Sequence, residues 1–167
     1  MSIRMNFYLI GIDYKTAGID AREGVYRLRK EITRFWQESG LEVAVLSTCN
    51  RFEIYLESCA IRDYLARFYY EFPQFLIHGY FLNKKDEILR HLLRLASGLE
   101  SQIKGELEIV EQLAAWRRQE GFPSSLAVLV EEAVLLSGEI RSVSGLRQPK
   151  ENLASLIFKD IRNNISD

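Results

Sequence analysis

Cysteine and histidine are scarce in this sequence of 167 residues, which excludes the sites that need clusters of them. The two cysteines have nine residues between them and form no C-x-x-C pair, and the two histidines show no metal-ligand spacing. We therefore expect reduced thiols, no bound metal and a cytoplasmic location.

Long apolar runs and an excess of one charge are also missing. Charged residues interrupt every apolar run before the roughly 20 residues that a membrane helix needs, and no signal-peptide pattern opens the chain. We expect neither export nor membrane insertion. The net charge of −1 gives no general attraction for nucleic acid, so composition alone does not indicate RNA binding.

The first half of the sequence has the periodicity of a mixed α+β fold. Apolar spacing predicts a strand at 5–12, a helix at 21–39, strands at 43–47 and 52–56, a helix at 61–70 and a strand at 75–82. Strand, helix, two strands, helix and strand is a split βαβ order, which predicts a ferredoxin-like sheet. We assign this first domain to residues 1–83, which include the only two cysteines.

The second half, residues 84–167, has helical periodicity. Apolar residues at helical spacing predict helices through 88–95, 109–116 and 126–140 and a final amphipathic segment at 153–165. Residues 121–125 and 145–149 are rich in glycine, proline and serine and predict breaks between helices.

An apolar run delivers Thr48, Cys49 and Arg51 to its end, just before a second β-type run. A nucleophilic cysteine needs partial exposure and a nearby positive charge, and Arg51 is two positions from Cys49. An isolated cysteine is more often a small buried residue at a strand end. These residues by themselves leave both interpretations open.

Two further segments favour the reactive thiol. Residues 11–17 read GIDYKTA, and residues 91–101 read HLLRLASGLES, followed by glycine and glutamate at 105–106. With the cysteine segment, they resemble the catalytic domain of glutamyl-tRNA reductase in order and spacing. The resemblance implies that Cys49 attacks the ester carbonyl of glutamyl-tRNA and forms a thioester, which NADPH reduces to glutamate-1-semialdehyde for tetrapyrrole (heme) biosynthesis.

The same resemblance implies roles for further side chains. His91 would polarise the carbonyl or transfer a proton, whereas a lone histidine among leucines is by itself typical of a helix surface. Arg51 would bind a substrate carboxylate, and Thr48 and Ser101 would donate hydroxyl hydrogen bonds to the glutamyl moiety. Glu106 would bind the substrate's amino group, because a buried ammonium needs a charged acceptor.

The sequence also departs from the family's pattern. Glu108 stands where the family has a glutamine near the substrate, and the added carboxylate can repel a glutamyl group or move its ammonium. No glycine-rich strand-to-helix turn indicates a dinucleotide site. We therefore expect NADPH-binding and dimerisation domains to be absent from this chain and NADPH to come from another polypeptide or domain. The sequence agrees equally with an expressed fragment and with a natural short relative. It also agrees with a homodimer.

Three functions follow from these observations. The leading hypothesis is a reductase catalytic domain whose partner is glutamyl-tRNA. The second is a stand-alone, non-reducing relative that binds a partner reductase, tRNA or a tetrapyrrole as a regulatory module. The third is a hydrolytic or acyl-transfer enzyme that resolves the same thioester without hydride. Reactivity of Cys49 separates the first two, and product analysis identifies the third.

Overall fold

The computed structural model describes residues 6–59, 61–102 and 104–145. Among these residues, strands and helices are mixed up to β4, and the elements after β4 are helices. The elements in chain order are β1 (Asn6–Asp13), α1 (Ile19–Arg27), α2 (Arg29–Glu38), β2 (Glu42–Ser47), β3 (Arg51–Ser58), α3 (Arg62–Glu71), α4 (Pro73–His78), β4 (Tyr80–Leu82), α5 (Lys85–Ala96), α6 (Glu108–Trp116) and α7 (Ser124–Ser144).

The four strands form one sheet in the order β2-β3-β1-β4, and every neighbouring pair is antiparallel. Helices α1 and α2 connect β1 to β2, and α3 and α4 connect β3 to β4. Each connection therefore passes over a strand that belongs to the other unit, which is the split βαβ arrangement. The α+β class predicted from the sequence is confirmed.

Both faces of the sheet are covered, because side chains alternate between the faces along each strand. One face carries Ile10 and Ile54 into a core with helices α1 to α4. The opposite face carries Leu9 and Tyr55 into a second core with helices α5 to α7. Strand β3 is consequently buried almost throughout, so a polar side chain within it must find its partners inside the protein.

The sequence predicted one helix at 21–39, and this prediction is wrong in detail. Helix α1 ends at Arg27, Leu28 has a ψ of 5°, and α2 begins at Arg29. The break allows α1 to contact β3 while α2 contacts β2. Apolar spacing continues through both helices, which is why periodicity does not show the change of direction.

The predicted strand at 75–82 is also wrong for most of its length. Residues Pro73–His78 form α4, and only Tyr80–Leu82 pair with the sheet. Proline at the first helical position favours a helix start, and Phe75 packs against Phe68 in the core, with ring centroids 5.0 Å apart.

Two other sequence expectations concern the second half of the chain. Strand β4 ends at Leu82 and α5 begins at Lys85, so a connection lies at the proposed division at residue 83, and the division itself stays a prediction. The final amphipathic segment at 153–165 lies outside the described residues. Within the described part of the chain, no helix is both long and apolar enough to cross a membrane.

We expect Gly98→Ala to destabilise the protein by about 1–3 kcal/mol, the usual cost of a left-handed backbone at a residue other than glycine. Gly98 has a φ of +73°, and an added Cβ would lie 2.9 Å from the carbonyl oxygen of Glu106. The matched control is Gly138→Ala inside α7, where an added Cβ meets nothing within 4 Å. Urea denaturation of both variants checks this, and equal stability would contradict it.

Candidate active site

Cys49 lies at the tip of the β2–β3 hairpin. The backbone N–H of Thr48 donates to the carbonyl of Arg51 at 2.9 Å, which leaves Cys49 and Asn50 as the turn residues. The backbone N–H of Tyr14 donates to the Asn50 carbonyl at 3.0 Å and ties this Cys49 turn, residues 48–51, to the end of β1. The thiol is free and exposed, not packed in a strand-end core.

A cavity of about 500 Å³ opens beside the Cys49 turn. Its wall combines the turn with one side of helix α1 and the ends of the central strands. The lining residues are Ile12, Ile19, Arg22, Glu23, Tyr26, Ser47, Thr48, Cys49, Arg51 and Phe52. We call it the Cys49 cavity.

The cation that contacts the turn at Cys49 is Arg22, on α1. Its Nη1 donates to the carbonyl oxygen of Cys49 at 3.3 Å. The sequence analysis had assigned this positive charge to Arg51, the nearest arginine along the chain. The guanidinium of Arg51 instead pairs within the protein, because the side chain at 51 faces the α5–α7 side of the sheet together with Glu53 and Tyr55.

Glu53 is fully buried, and polar groups surround its carboxylate. Arg51 Nη1 donates to Oε1 at 2.8 Å, and the Tyr80 hydroxyl donates to the same oxygen at 2.5 Å. The Tyr55 hydroxyl donates to Oε2 at 2.6 Å. His91 Nε2 lies 3.0 Å from Oε1. We refer to these five residues as the Glu53 cluster. Its members come from β3, β4 and α5.

Gly11, opposite Tyr80 in the β1–β4 pair, makes room for this cluster. A Cβ at position 11 would lie 2.4 Å from the Tyr80 ring, too close for the ring to keep its place. The approach of Tyr80 to Glu53 thus explains the glycine that opens the segment GIDYKTA.

Opposing effects set the ionisation of the cluster. Burial by itself raises the pKa of Glu53, but His91, Arg51 and the Tyr55 hydroxyl together lower that pKa well below its ordinary value. Burial and the Glu53 carboxylate raise the pKa of Tyr55 and of Tyr80. Glu53 is therefore the ionised acceptor of the cluster, and both phenols remain protonated donors.

His91 lies on the side of α5 that faces the sheet, one turn after the buried Ile88. Because Glu53 is ionised and can only accept, His91 Nε2 carries a proton and donates it to Oε1. The contact with Glu53 uses Nε2, so Nδ1 is the ring nitrogen on the other side of the imidazole. The alternative interpretation, a histidine on an exposed helix surface, does not agree with this contact to the sheet.

Arg51 joins the hairpin to the segment after α5. It is 4% exposed, and its Nη2 donates to the carbonyl of Glu100 at 2.7 Å. The Glu100 side chain in turn pairs with Lys15 and, at 2.6 Å, with Arg94. Burial by itself raises the pKa of Glu100, but these two cations lower it below its ordinary value.

Ser101 follows in the same segment and is buried. The Tyr14 hydroxyl donates to its carbonyl at 3.3 Å, so the segment is tied to the β1 end that also holds the Cys49 turn. Thr48 lines the Cys49 cavity, whereas Ser101 and His91 are not among the described residues that line it.

Arg141, on α7, fixes the backbone around Glu106. Its guanidinium donates to the carbonyls of Ala96 and Gly105 at 2.9 Å and of Glu106 at 3.0 Å. Burial raises the pKa of the Glu106 carboxyl, and the nearby Glu108 carboxylate raises it further. Glu108 is exposed at the start of α6.

The sequence indicated no role in the site for Glu53, Tyr80, Arg22 or Arg141. One signal was available: Arg51, Glu53 and Tyr55 alternate with apolar residues along β3, which places the three on one face. Nothing local indicates the partners from β4, α5 and α7, because they lie far away along the chain.

Two kinds of site do not form in the described part of the chain. It contains no group of three or more His, Cys, Asp or Glu side chains placed to hold a metal ion. Its sheet is entirely antiparallel, so no parallel strand-to-helix turn offers a pyrophosphate site. The described residues therefore do not form the glycine-rich strand-to-helix turn of a doubly wound dinucleotide-binding domain.

An antiparallel α+β domain of the split βαβ type, with an exposed cysteine at a hairpin tip beside a cavity, is the class of protein that the fold and this site define. Residues 10–143 match the family model described as glutamyl-tRNAGlu reductase, N-terminal domain. The chain belongs to this family.

Individual relatives agree with the family model. The chain is 32% identical to a glutamyl-tRNA reductase of Chromohalobacter salexigens, over 93% of this chain and 42% of that protein. It is 34% identical to one from Pseudomonas savastanoi, over 65% of this chain and 28% of the other. The chain thus spans less than half the length of these curated relatives.

A solved structure has the same fold. The glutamyl-tRNA reductase from Methanopyrus kandleri superposes with a TM-score of 0.60 and 27% identity, over 81% of this chain and 34% of that chain. The likeness is again confined to one part of the longer protein.

We expect Glu53→Gln to destabilise the protein by about 3 kcal/mol or more, because it removes the closer counter-charge of the buried Arg51 guanidinium and leaves only Asp13, at 3.9 Å. Glu42→Gln on β2 is the control: this exposed carboxylate should change stability by less than about 0.5 kcal/mol. Urea denaturation at neutral pH compares the two.

The pH dependence of the same pair provides a second readout. The pKa of Glu53 is lower in the folded than in the unfolded protein, so its stabilisation is complete above the unfolded value of about 4.3 and is lost as pH falls below it. The Glu53→Gln protein should lack this part of the acid destabilisation. If the stabilities of wild type and variant fell in parallel with pH, Glu53 would not be the source of this acid destabilisation.

Proposed function

We propose that this chain carries out the thioester-forming half of the glutamyl-tRNA reductase reaction. The observation that carries the proposal is the exposed Cys49 at the mouth of the Cys49 cavity, in a chain that belongs to this family. A free thiol on a tight turn, with Arg22 bonded to the turn, is accessible to a large substrate such as aminoacylated tRNA.

The proposed step is an acyl transfer from oxygen to sulfur. The Cys49 thiolate attacks the carbonyl of the glutamyl ester, so the Sγ–C bond forms and the bond from carbon to the ribose oxygen breaks. The ribose oxygen takes a proton, and free tRNA leaves. A thioester is reactive enough to accept hydride, whereas a free carboxylate is not.

His91 is the proposed proton carrier. Glu53 holds its Nε2–H, which fixes the tautomer and leaves Nδ1 with a lone pair for the thiol proton. The imidazolium can then return this proton to the departing ribose oxygen. A carboxylate on the far nitrogen stabilises the charged ring during the transfer, as in catalytic triads.

Thr48, Arg51, Ser101, Glu106 and Glu108 are proposed to recognise the glutamyl moiety. Arg51 lines the cavity and is already bonded to Glu53 and to the Glu100 carbonyl, so its remaining N–H groups are the ones available to a substrate carboxylate. Glu106 and Glu108 form an acidic pair suited to the substrate ammonium.

For the complete reaction, NADPH is the proposed hydride donor, and the product is glutamate-1-semialdehyde for tetrapyrrole biosynthesis. The described residues do not form a doubly wound dinucleotide-binding site, so hydride transfer is not assigned to them. A further domain or polypeptide that brings NADPH, a homodimer and a cytoplasmic location remain part of the proposal.

We expect Cys49→Ser to abolish covalent glutamylation with little change in stability, since exposed substitutions usually alter stability by less than about 0.5 kcal/mol. The experiment is intact-mass spectrometry after brief incubation with glutamyl-tRNA in the absence of NADPH. Cys59→Ser is the matched control, because Cys59 is the second free, exposed thiol. An adduct that survives Cys49→Ser, or that moves to Cys59, would eliminate the nucleophile assignment.

We expect Glu108→Gln to speed glutamylation and to shift its acid limb to lower pH. Burial and Glu108 both raise the pKa of Glu106, so removal of the Glu108 charge lowers that pKa and keeps Glu106 ionised in more acidic solution. The rate of adduct formation measured across pH 5 to 8 checks this, with Glu111→Gln on the same helix as control. An unshifted profile would show that Glu106 and Glu108 do not act as a pair.

A further inference from the structure

We propose that the α1 side of the Cys49 cavity is the site for the leaving group, where Tyr26 and Arg22 hold the 3′-terminal nucleoside of the aminoacyl-tRNA. This inference rests on the proposed thioester-forming function. It assigns to α1 a role in recognising the tRNA end, separate from recognition of the glutamyl group.

The arrangement around Cys49 separates two regions. The Glu53 cluster and the segment with Ser101 lie on the α5–α7 side of the sheet. Ile12 and Phe52, which line the Cys49 cavity, face the α1–α4 side, and Arg51 of the Glu53 cluster also lines the cavity. The Cys49 turn lies at the end of the sheet between these sides.

An acyl transfer needs room on both sides of the attacked carbonyl. The acyl part must stay with the enzyme, while the alcohol, here a ribose, departs. If the acyl part contacts Arg51 and Ser101, the ribose and its base extend away from the Glu53 cluster. The cavity on the α1 side is the space available for them, and about 500 Å³ is within the usual range for small-ligand pockets.

Tyr26 gives this cavity an aromatic wall. The side chain is 53% exposed although it lines the cavity. The guanidinium of Arg29 lies 4.2 Å from the ring centroid and also donates to the Tyr26 carbonyl at 2.9 Å, so the first residue of α2 supports the ring. A supported, exposed ring is suited to stacking with a base.

Arg22 supplies the charge and the link to the thiol. Its Nη1 contacts the Cys49 carbonyl, and its Nε is buried without a hydrogen-bond partner among the described protein atoms. Since Nε is enclosed, the rest of the guanidinium at the cavity wall is the part that can bind a ribose or phosphate oxygen of the substrate. Arg27 lies 3.3 Å from Glu23, the cavity's acidic residue, and offsets its charge.

The test compares two acyl donors that differ only in the leaving group. Glutamyl-tRNA carries the terminal nucleoside, whereas the ethyl α-thioester of glutamate does not. Cys49 reacts with the second by thiol exchange: a new Sγ–C bond forms, the old C–S bond breaks and ethanethiol leaves with the proton. Intact-mass spectrometry follows adduct formation on Cys49 over time with each donor.

For Tyr26→Ala we expect glutamylation by the tRNA to fall about tenfold or more, the effect of losing one stacked base. The rate with the ethyl thioester should stay unchanged. Tyr26→Phe, which keeps the ring, should behave as wild type. Arg22→Ala should also slow the tRNA reaction, and Arg34→Ala on α2, an exposed arginine, is its charge control.

Equal rates for wild type and Tyr26→Ala with glutamyl-tRNA would overturn the inference. An equal loss with both donors would also overturn it, because the substitution would then act on the Cys49 turn and not on the leaving group. Failure of wild type to form an adduct with either donor would refute the proposed function itself. The three results are distinguishable in one set of mass spectra.

Discussion

A carboxylate buried in the middle of β3 constrains much of this structure. Glu53 lies where both faces of the sheet are covered, so its charge has no access to water. An unpaired buried charge is prohibitively costly, and the fold must therefore bring Arg51, two phenols and an imidazole to it. Those requirements set the position of β4, the orientation of α5 and the absence of a side chain at Gly11.

The same interaction connects the core to the proposed chemistry. Arg51 closes the Cys49 turn with its backbone and reaches Glu53 with its guanidinium, and Glu53 fixes the protonated nitrogen of His91. One chain of contacts thus connects Cys49 and His91, the proposed nucleophile and the proposed proton carrier. Arg141 adds a second constraint from α7, since it holds three carbonyls around the segment that carries the proposed glutamyl-binding residues.

Much of the fold followed from local pattern. Strands β1 to β3 and helices α5 to α7 have clear apolar periods, and the structure places them within a few residues of the predicted bounds. The errors occurred where apolar residues continue through a change of structure, at Leu28 and between Pro73 and Leu82. At these positions, whether the helix or strand continues or ends depends on which strand or core each segment packs against. The local spacing of apolar residues does not contain that information.

The order of the elements, the place of Cys49 between two strands and the resemblance to one family can be read from the sequence, because they depend on neighbours along the chain. The pairing of Arg51 with Glu53, the contact of His91 with the sheet and the wall that Arg22 and Tyr26 form beside the thiol become visible only in the folded protein. Arg51 and the Glu100 carbonyl are 49 positions apart, and His91 and Glu53 are 38 apart. Contacts over such separations arise from sheet register and helix packing, which fix partners that no local motif specifies.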